Sequence, residues 1–255
     1  MIRFPQKCVP GKERSVVAFM KAISIITVNK NHASGLKRTI DSILKQTCKD
    51  YEFLVIDGAS TDGSAELKEH YPQIDEFISE PDSGIYNAMN KGIGLAHGKY
   101  CLFLNSGDTL TNENVLSEVL KTLSSQPEPI DILSFRLMLP GNDSYFPRRT
   151  FDFLHFLPGS IPHQATLIRR ELFDTVGKYR EDYRLISDYI FFFRALCLKK
   201  VRFLTADIPF CNYEMNGVST NRELISQEVS RYLTEHEVPV CYRIIMFLRK
   251  LTNRR

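Results

Sequence analysis

The chain has 255 residues and is 43% hydrophobic, enough to bury one large α/β core plus a short appendage, so one main domain is expected. Its 33 basic and 30 acidic side chains leave a formal charge of +3, which argues against a dedicated nucleic-acid binder, and no stretch approaches the roughly 18 apolar residues of a spanning helix. The six cysteines are scattered without a Cys-x-x-Cys pair, several inside apolar runs, as buried thiols of a reducing compartment are.

Residues 1–20 show no clear periodicity. They read either as an extension ahead of a start at Met20 or as an element that pads the sheet, and residues 15–20 are too short for a signal-peptide core. Residues 23–28 are a continuous apolar strand, followed by the polar loop Asn29-Lys30-Asn31. Leu36, Ile40, Ile43 and Leu44 mark an amphipathic helix with Ser34 as its expected cap. This first strand-to-helix turn lacks the G-x-G-x-x-G pattern, which counts against a dinucleotide-binding dehydrogenase. Residues 53–56 form a second buried strand with Asp57 at its carboxyl end, where it can accept hydrogen bonds from a base or ribose or cap the next helix, although Thr61 and Asp62 are better placed for capping.

Residues 79–108 organise the rest. Ile85, Met89, Ile93 and Ala96 recur at helical spacing, Gly98 stops that helix, and YCLFL at 100–104 is short and wholly apolar, as in a parallel strand buried on both faces. Carboxylate-bearing, glycine-containing loops flank the pair: Glu80-Pro81-Asp82-Ser83-Gly84 before it and Asn105-Ser106-Gly107-Asp108 after it. Such residues are ordinary turn formers, but loops beyond the carboxyl ends of strands are also where open α/β sheets bind ligands.

With ISIITVNKN, SILKQT, YEFLVIDGASTDGS, SEPDSGIYNAMNKGI and GKYCLFLNSGD in that order, the chain resembles the family 2 glycosyltransferases of GT-A fold, strongly over residues 23–108 and more loosely to about 220. The resemblance implies a Rossmann-like, mostly parallel sheet flanked by helices, with an acceptor-side subregion and C-terminal helices. It implies a nucleotide-sugar donor, most naturally a UDP-sugar, and an Asp57 that contacts the nucleoside, with Thr27 lining the same pocket.

Further along, Val115, Leu116, Val119, Leu120 and Leu123 predict a helix, residues 130–137 a strand, and Gly141-Asn142-Asp143 a turn into a partner strand around Tyr145 and Phe146. Residues 149–162, rich in aromatics, Pro and Gly, read as a cleft-lining loop. His163 opens the strand 165–168 and matches a His-Gln pair in related transferases, as a structural histidine or one touching the diphosphate or acceptor. Leu172, Phe173, Val176 and Gly177 give a short helix and its stop. Ser187 or Asp188 would ordinarily cap the apolar helix 190–198, but the family places its catalytic base there, and a helix start suits an ionised carboxylate. Residues 201–204 and 208–213 read as two late strands, 216–220 as a loop able to close over the diphosphate, and 224–233 and 240–251 as terminal helices.

Transfer from such a donor needs the departing diphosphate neutralised, by Mg2+ or Mn2+, and one general base, which implies inversion. By resemblance Asp188 is that base. The family's Asp-x-Asp metal motif is here Asn105-Ser106-Gly107-Asp108, so Asp108 alone supplies charge, and metal binding that is weak or donor-dependent is in play. Asp82 is a candidate second carboxylate on the donor side, and Lys91 a candidate for approaching a phosphate, against the plainer account of an exposed helical lysine.

The expected layout is an extension over 1–21, a catalytic domain over 22–237 and a basic amphipathic helix over 238–255. In that last helix Val240, Ile244, Phe247, Leu248 and Leu251 share one side, and beyond Glu237 there are five positive charges and no acidic one, an interfacial pattern that suits peripheral attachment to an anionic membrane on its cytoplasmic face. The expected acceptor is a saccharide or polyprenyl-linked saccharide in cell-surface polysaccharide biosynthesis. Two other readings remain: a catalytically idle nucleotide-sugar-binding module, and a nucleotidyltransferase, for which VNKNHASG supplies no convincing phosphate loop.

Overall fold

The computed structural model describes residues 20–147, 161–199, 201–215, 221–235, 238–240 and 242–243. The expected elements within 1–19, 149–160, 216–220 and 244–255 lie outside these residues.

Four parallel strands form one half of a nine-stranded sheet: β1 (Ile23–Asn29), β2 (Tyr51–Asp57), β3 (Glu76–Ser79) and β4 (Tyr100–Phe103). The other half comprises β5 (Thr109–Leu110), β6 (Ile132–Met138), β7 (Ser144–Tyr145), β8 (Thr166–Arg169) and β9 (Phe203–Asn212). The order across the sheet is β3-β2-β1-β4-β8-β6-β9-β5, with β7 paired to β6. All seven residues of β1 are buried, because helices cover both faces.

On one face lie α1 (Ala33–Leu44) and α4 (Val115–Ser124), packed on alternate strand residues such as Ile23, Ile25, Phe53, Val55 and Leu102. On the other lie α3 (Ile85–Leu95), α5 (Leu172–Thr175), α6 (Ser187–Phe193) and α7 (Arg222–Tyr232), against Ile26, Val28, Leu54, Ile56 and Phe103. The short α2 (Leu67–His70) links β2 to β3.

The chain runs outward from β1 to β2 and β3, then returns to the other side of β1 as β4. The reversal makes a switch point at the carboxyl ends of these strands, where such sheets take ligands. Strand β8 is antiparallel to β4, so its beginning sits at the same end, and β9 closes there as well because it runs parallel to β6, itself antiparallel to β8. Loops far apart in sequence, after β1 to β4 and β9 and before β8, therefore converge.

Three expectations are corrected. Ser34 does not cap α1: the helix begins at Ala33, whose N-H donates 2.8 Å to Asp62 Oδ2 across the gap from the β2 loop. Asp62 thus caps α1 and not a helix of its own. Ser187 and Asp188 lie inside the first turn of α6, after Ile186 as N-cap. The two late strands are one, β9, and Pro209 sits where its pairing with β6 shifts register; a residue without an N-H is tolerated at such an irregularity, which is why this stretch reads as a break.

Candidate active site

The loop after β4 is held from below by α1. Thr39 Oγ1 donates to Asp108 O at 2.7 Å and accepts from Gly107 N at 3.0 Å, so one hydroxyl pins both sides of the turn. Gly107 has φ +104°, a conformation that favours glycine, and a Cβ there would stand 1.8 Å from Glu214 Oε2, so the Glu214 carboxylate would have to move aside. Glu214 follows β9 and lies directly against this loop. Its amide donates 2.9 Å to Asp108 Oδ1, its Oε1 pairs with Arg38 at 2.8 Å, and its Oε2 is 3.7 Å from His32 Nε2. Asp108 is only 3% exposed, and burial pushes its carboxyl up to about 7.

The acceptor half supplies the opposite wall. The start of β8 brings His163 next to the β4 loop, with Nε2 3.2 Å from Asn105 Nδ2, while His163 Nδ1 faces Asp188 Oδ2 at 2.9 Å. Tyr86 of α3 donates to Asp188 Oδ1 at 3.0 Å, and the Tyr189 amide donates to the same oxygen at 2.9 Å. Burial works against the charge on Asp188, but His163, the Tyr189 amide and Tyr86 outweigh it and hold the carboxyl below its ordinary value. Helix α6 is fixed in place by Ile190, Phe191, Phe192 and Phe193, all buried, with Phe191 stacked on Phe173 at 4.8 Å.

Of the residues singled out in the sequence, the fold brings Asp188, His163 and the Asn105–Asp108 loop together. Asp82 also reaches the carboxyl ends: its Oδ1 accepts from Gly84 N at 3.0 Å, and a Cβ on Gly58 would lie 2.3 Å from its Oδ2. Thr27 does not line the pocket as expected, being wholly buried in β1 with its hydroxyl given to Leu104 O at 2.7 Å. Asp57 is 0% exposed and already accepts from Asn29, from the amide and hydroxyl of Ser60 and from Ser79. Burial opposes its ionisation, yet those bonds prevail and keep the carboxyl below the usual 3.8. In this arrangement Asp57 shapes the loop after β2, and direct contact with a nucleoside would require one of these bonds to be exchanged. Lys91 is not directed to a phosphate: it donates to Pro81 O at 2.9 Å and pairs with Glu80 at 2.7 Å, tying the loop before α3 to that helix.

Thr39, Tyr86 and Glu214 escaped the sequence reading. Each contacts residues 68 to 106 positions away, and nothing local distinguishes them.

Comparison with known proteins decides what this site belongs to. Residues 24–203 match the profile of Glycosyl transferase family 2, which covers well over half of the chain. The chain belongs to that family. A PGL/p-HBAD biosynthesis glycosyltransferase of Mycobacterium tuberculosis (strain ATCC 25618 / H37Rv) is 34% identical to it over 173 residues, 66% of this chain and 67% of the relative. The putative teichuronic acid biosynthesis glycosyltransferase TuaG of Bacillus subtilis (strain 168) is 36% identical over 90 residues, 34% of this chain and 36% of TuaG. Among solved structures, S. aureus TarS 1-349 in complex with UDP-GlcNAc superposes with a TM-score of 0.66 at 15% identity, over 87% of this chain and 69% of that one. The mannosyltransferase PcManGT from Pyrobaculum calidifontis, in complex with GDP-Man and Mn2+, gives 0.64 at 16%, over 90% and 69%. This family 2 chain spans 41% of the longer TarS chain. The fold of the family 2 chain is therefore GT-A, a mostly parallel sheet with flanking helices.

The donor set suits the divalent cation that the family implies. Glu214 Oε2 is buried without a hydrogen bond beside Asp108, and oxygen atoms are what Mg2+ and Mn2+ take. Among the described residues no three His, Cys, Asp or Glu side chains gather into a cage, so a cation here would draw much of its shell from substrate phosphates.

Proposed function

We propose that this family 2 glycosyltransferase moves a sugar from a nucleotide-sugar donor, a UDP-sugar by preference, to a saccharide or polyprenyl-linked saccharide in cell-surface polysaccharide biosynthesis, with inversion at the transferred carbon. The observation that carries the reading is the meeting of Asp188 and His163 from the acceptor half with the Asn105–Asp108 loop of the nucleotide half. The names of TuaG and of the TarS complex with UDP-GlcNAc support the pathway class and the donor. The Mn2+ of the PcManGT complex supports a metal.

In this reading Asp108 holds Mg2+ or Mn2+, with Glu214 beside it, and a cation bound there supplies positive charge against the departing diphosphate. Thr39 fixes the loop that presents Asp108, and Asp82 stands on the donor side above Gly58. The Asp188 centre, on the opposite wall, accepts the proton of the acceptor hydroxyl as it attacks. A single proton-accepting centre opposite the leaving group gives inversion, without the paired carboxylates of a glycosidase.

A lipid-linked acceptor would bring the chain to the cytoplasmic face of an anionic membrane. No helix among the described residues is long and apolar enough to cross one. The segment beyond Arg243, with Arg249, Lys250, Arg254 and Arg255 and no acidic residue, is the part suited to rest on its surface.

The test is a thermal-shift panel of UDP-, GDP- and dTDP-sugars with and without Mn2+. A metal-dependent rise with one nucleotide class supports the reading, and no response to any of them overturns it.

A further inference from the structure

Residues 177–186, which lead from α5 to Asp188, form no helix or strand, so their backbone polar groups need partners from elsewhere. Two helices supply them. From α3, Asn90 serves both polar groups of Tyr179, donating to its carbonyl at 2.8 Å and accepting from its amide at 3.0 Å. The end nearer Asp188 is held from α7. Glu228 Oε1 accepts from Arg184 N at 2.7 Å, and Glu228 Oε2 accepts from Leu185 N at 2.9 Å.

Glu228 stands where α7 would be expected to carry an apolar residue. Ile225, Val229 and Tyr232 pack on the core at helical spacing, and Glu228 falls on the same stripe, only 8% exposed. Burying a carboxylate is costly unless its oxygens find donors, and both of these oxygens are given to the backbone of one turn. An apolar residue would pack α7 without that penalty, but it could not hold the turn.

That turn sets where α6 begins. Ile186 O accepts from Ile190 N at 2.9 Å, and two residues after Ile186 comes Asp188, which must meet Tyr86, the Tyr189 amide and His163 together. Tyr242 adds a second hold from beyond α7, sharing a 2.6 Å hydrogen bond with Tyr189.

We propose that Glu228 is a positioning residue for Asp188: by holding the amides of Arg184 and Leu185 it fixes the start of α6, and with it the carboxylate that receives the acceptor proton. The inference rests on the glycosyl-transfer reading above. Helix α7 lies beyond residues 24–203, which match the family profile, so a part of the chain outside that match acts on the chemistry through Asp188.

Two measurements on the full chain decide the matter. Native-state hydrogen exchange on the wild type needs no donor. The amides of Arg184, Leu185 and Tyr189 should exchange through the same opening as those of α7, with one free energy and one denaturant dependence. Tyr189 protection that persists while α7 opens overturns the proposal. In the second, release of nucleoside diphosphate from UDP-GlcNAc and GDP-mannose is followed with water as acceptor. Glu228→Gln keeps the volume but sets an amide donor against a backbone donor, and kcat should fall about 10- to 100-fold, the scale of a small misplacement, while donor KM changes little. Val229→Ala, on the same helix, loses packing but leaves both hydrogen bonds in place, so the kcat of the folded enzyme should stay near that of the wild type. A Glu228→Gln chain that melts lower yet keeps wild-type kcat overturns the proposal, because Glu228 then only fastens α7. An equal loss of kcat in Val229→Ala overturns it as well, since any weakening of α7 would then suffice. A wild-type chain that binds neither donor counts against glycosyl transfer, and the exchange measurement still decides whether α7 holds the turn before Asp188.

Discussion

Thr39 on α1 and Asp108 on the β4 loop are joined by a 2.7 Å hydrogen bond from a buried hydroxyl to a backbone carbonyl, and the same hydroxyl receives the Gly107 amide. Thr39→Val keeps the shape and removes both bonds. It should cost about 1–3 kcal/mol in chemical denaturation, the range for leaving buried polar groups unpaired, and should weaken the effect of Mn2+ on nucleotide binding. Unchanged stability and metal response would mean that the loop is held by something else.

Asp108 has a carboxyl raised to about 7 by burial, so between its ordinary 3.8 and that value the folded chain holds a proton that the unfolded chain has released. Stability contributed at this position therefore falls as pH rises through the window. Asp108→Asn keeps an acceptor for the Glu214 amide and removes the penalty, so at pH about 8 and without divalent metal it should melt above the wild type. Mn2+ with UDP should then raise the melting temperature of the wild type alone. Equal donor binding by the wild type in excess EDTA would refute the metal assignment itself.

Asp57 shows the opposite sign. Its carboxyl is held below 3.8, so its contribution is complete above that value and is lost as pH falls through the lower, folded one. Asp57→Asn places a donor among donors. It should lose roughly 1.5–3 kcal/mol at neutral pH, the scale of hydrogen bonds to a charged group, and flatten the decline of stability below pH about 4. Urea midpoints measured across pH check both.

The terminal segment separates membrane attachment from folding only if it is cut in the right place. Tyr242 is fully buried, packs on Phe193 at 4.9 Å and shares a 2.6 Å hydrogen bond with Tyr189, whereas Val240 is 68% exposed. Removing residues from 239 onward should destabilise the domain by about 3–5 kcal/mol through loss of the aromatic ring. Removing only those beyond 243 should leave the melting temperature near that of the full chain and abolish flotation with anionic liposomes. Full-length chain that does not float at low salt would refute the membrane reading.

The strands and loops of the nucleotide half could be read directly because their causes are local. Parallel strands buried on both faces are unbroken apolar runs, as in ISIITV and FLVI, and the turns after them must carry Gly and Asp. Asp188 and His163 each open an apolar element, but it is the family resemblance, not the local pattern, that marks them out from an ordinary helix cap and a structural histidine. What lay beyond reach was contact across the sheet: that Asp62 caps a helix 29 residues earlier, that Thr27 and Lys91 already have partners, and that Glu214 comes to rest on Gly107. Pairing of this kind depends on which loops the strand order gathers, and no window of sequence contains it.

The sheet also partitions how the site can change over evolutionary time. Leu36, Ile40 and Ile43, which seat the helix under the Asp108 loop, belong to one packed layer, and Ile190, Phe191 and Phe193, which seat Asp188, belong to the other. A volume change in one layer is felt first by neighbours on its own side, because the sheet stands between the two layers. Under the proposed function, repacking around α6 would redirect the chain toward new acceptors while the Asp108 loop stays in register, so specificity for the two substrates would diversify along separate lineages of core mutations.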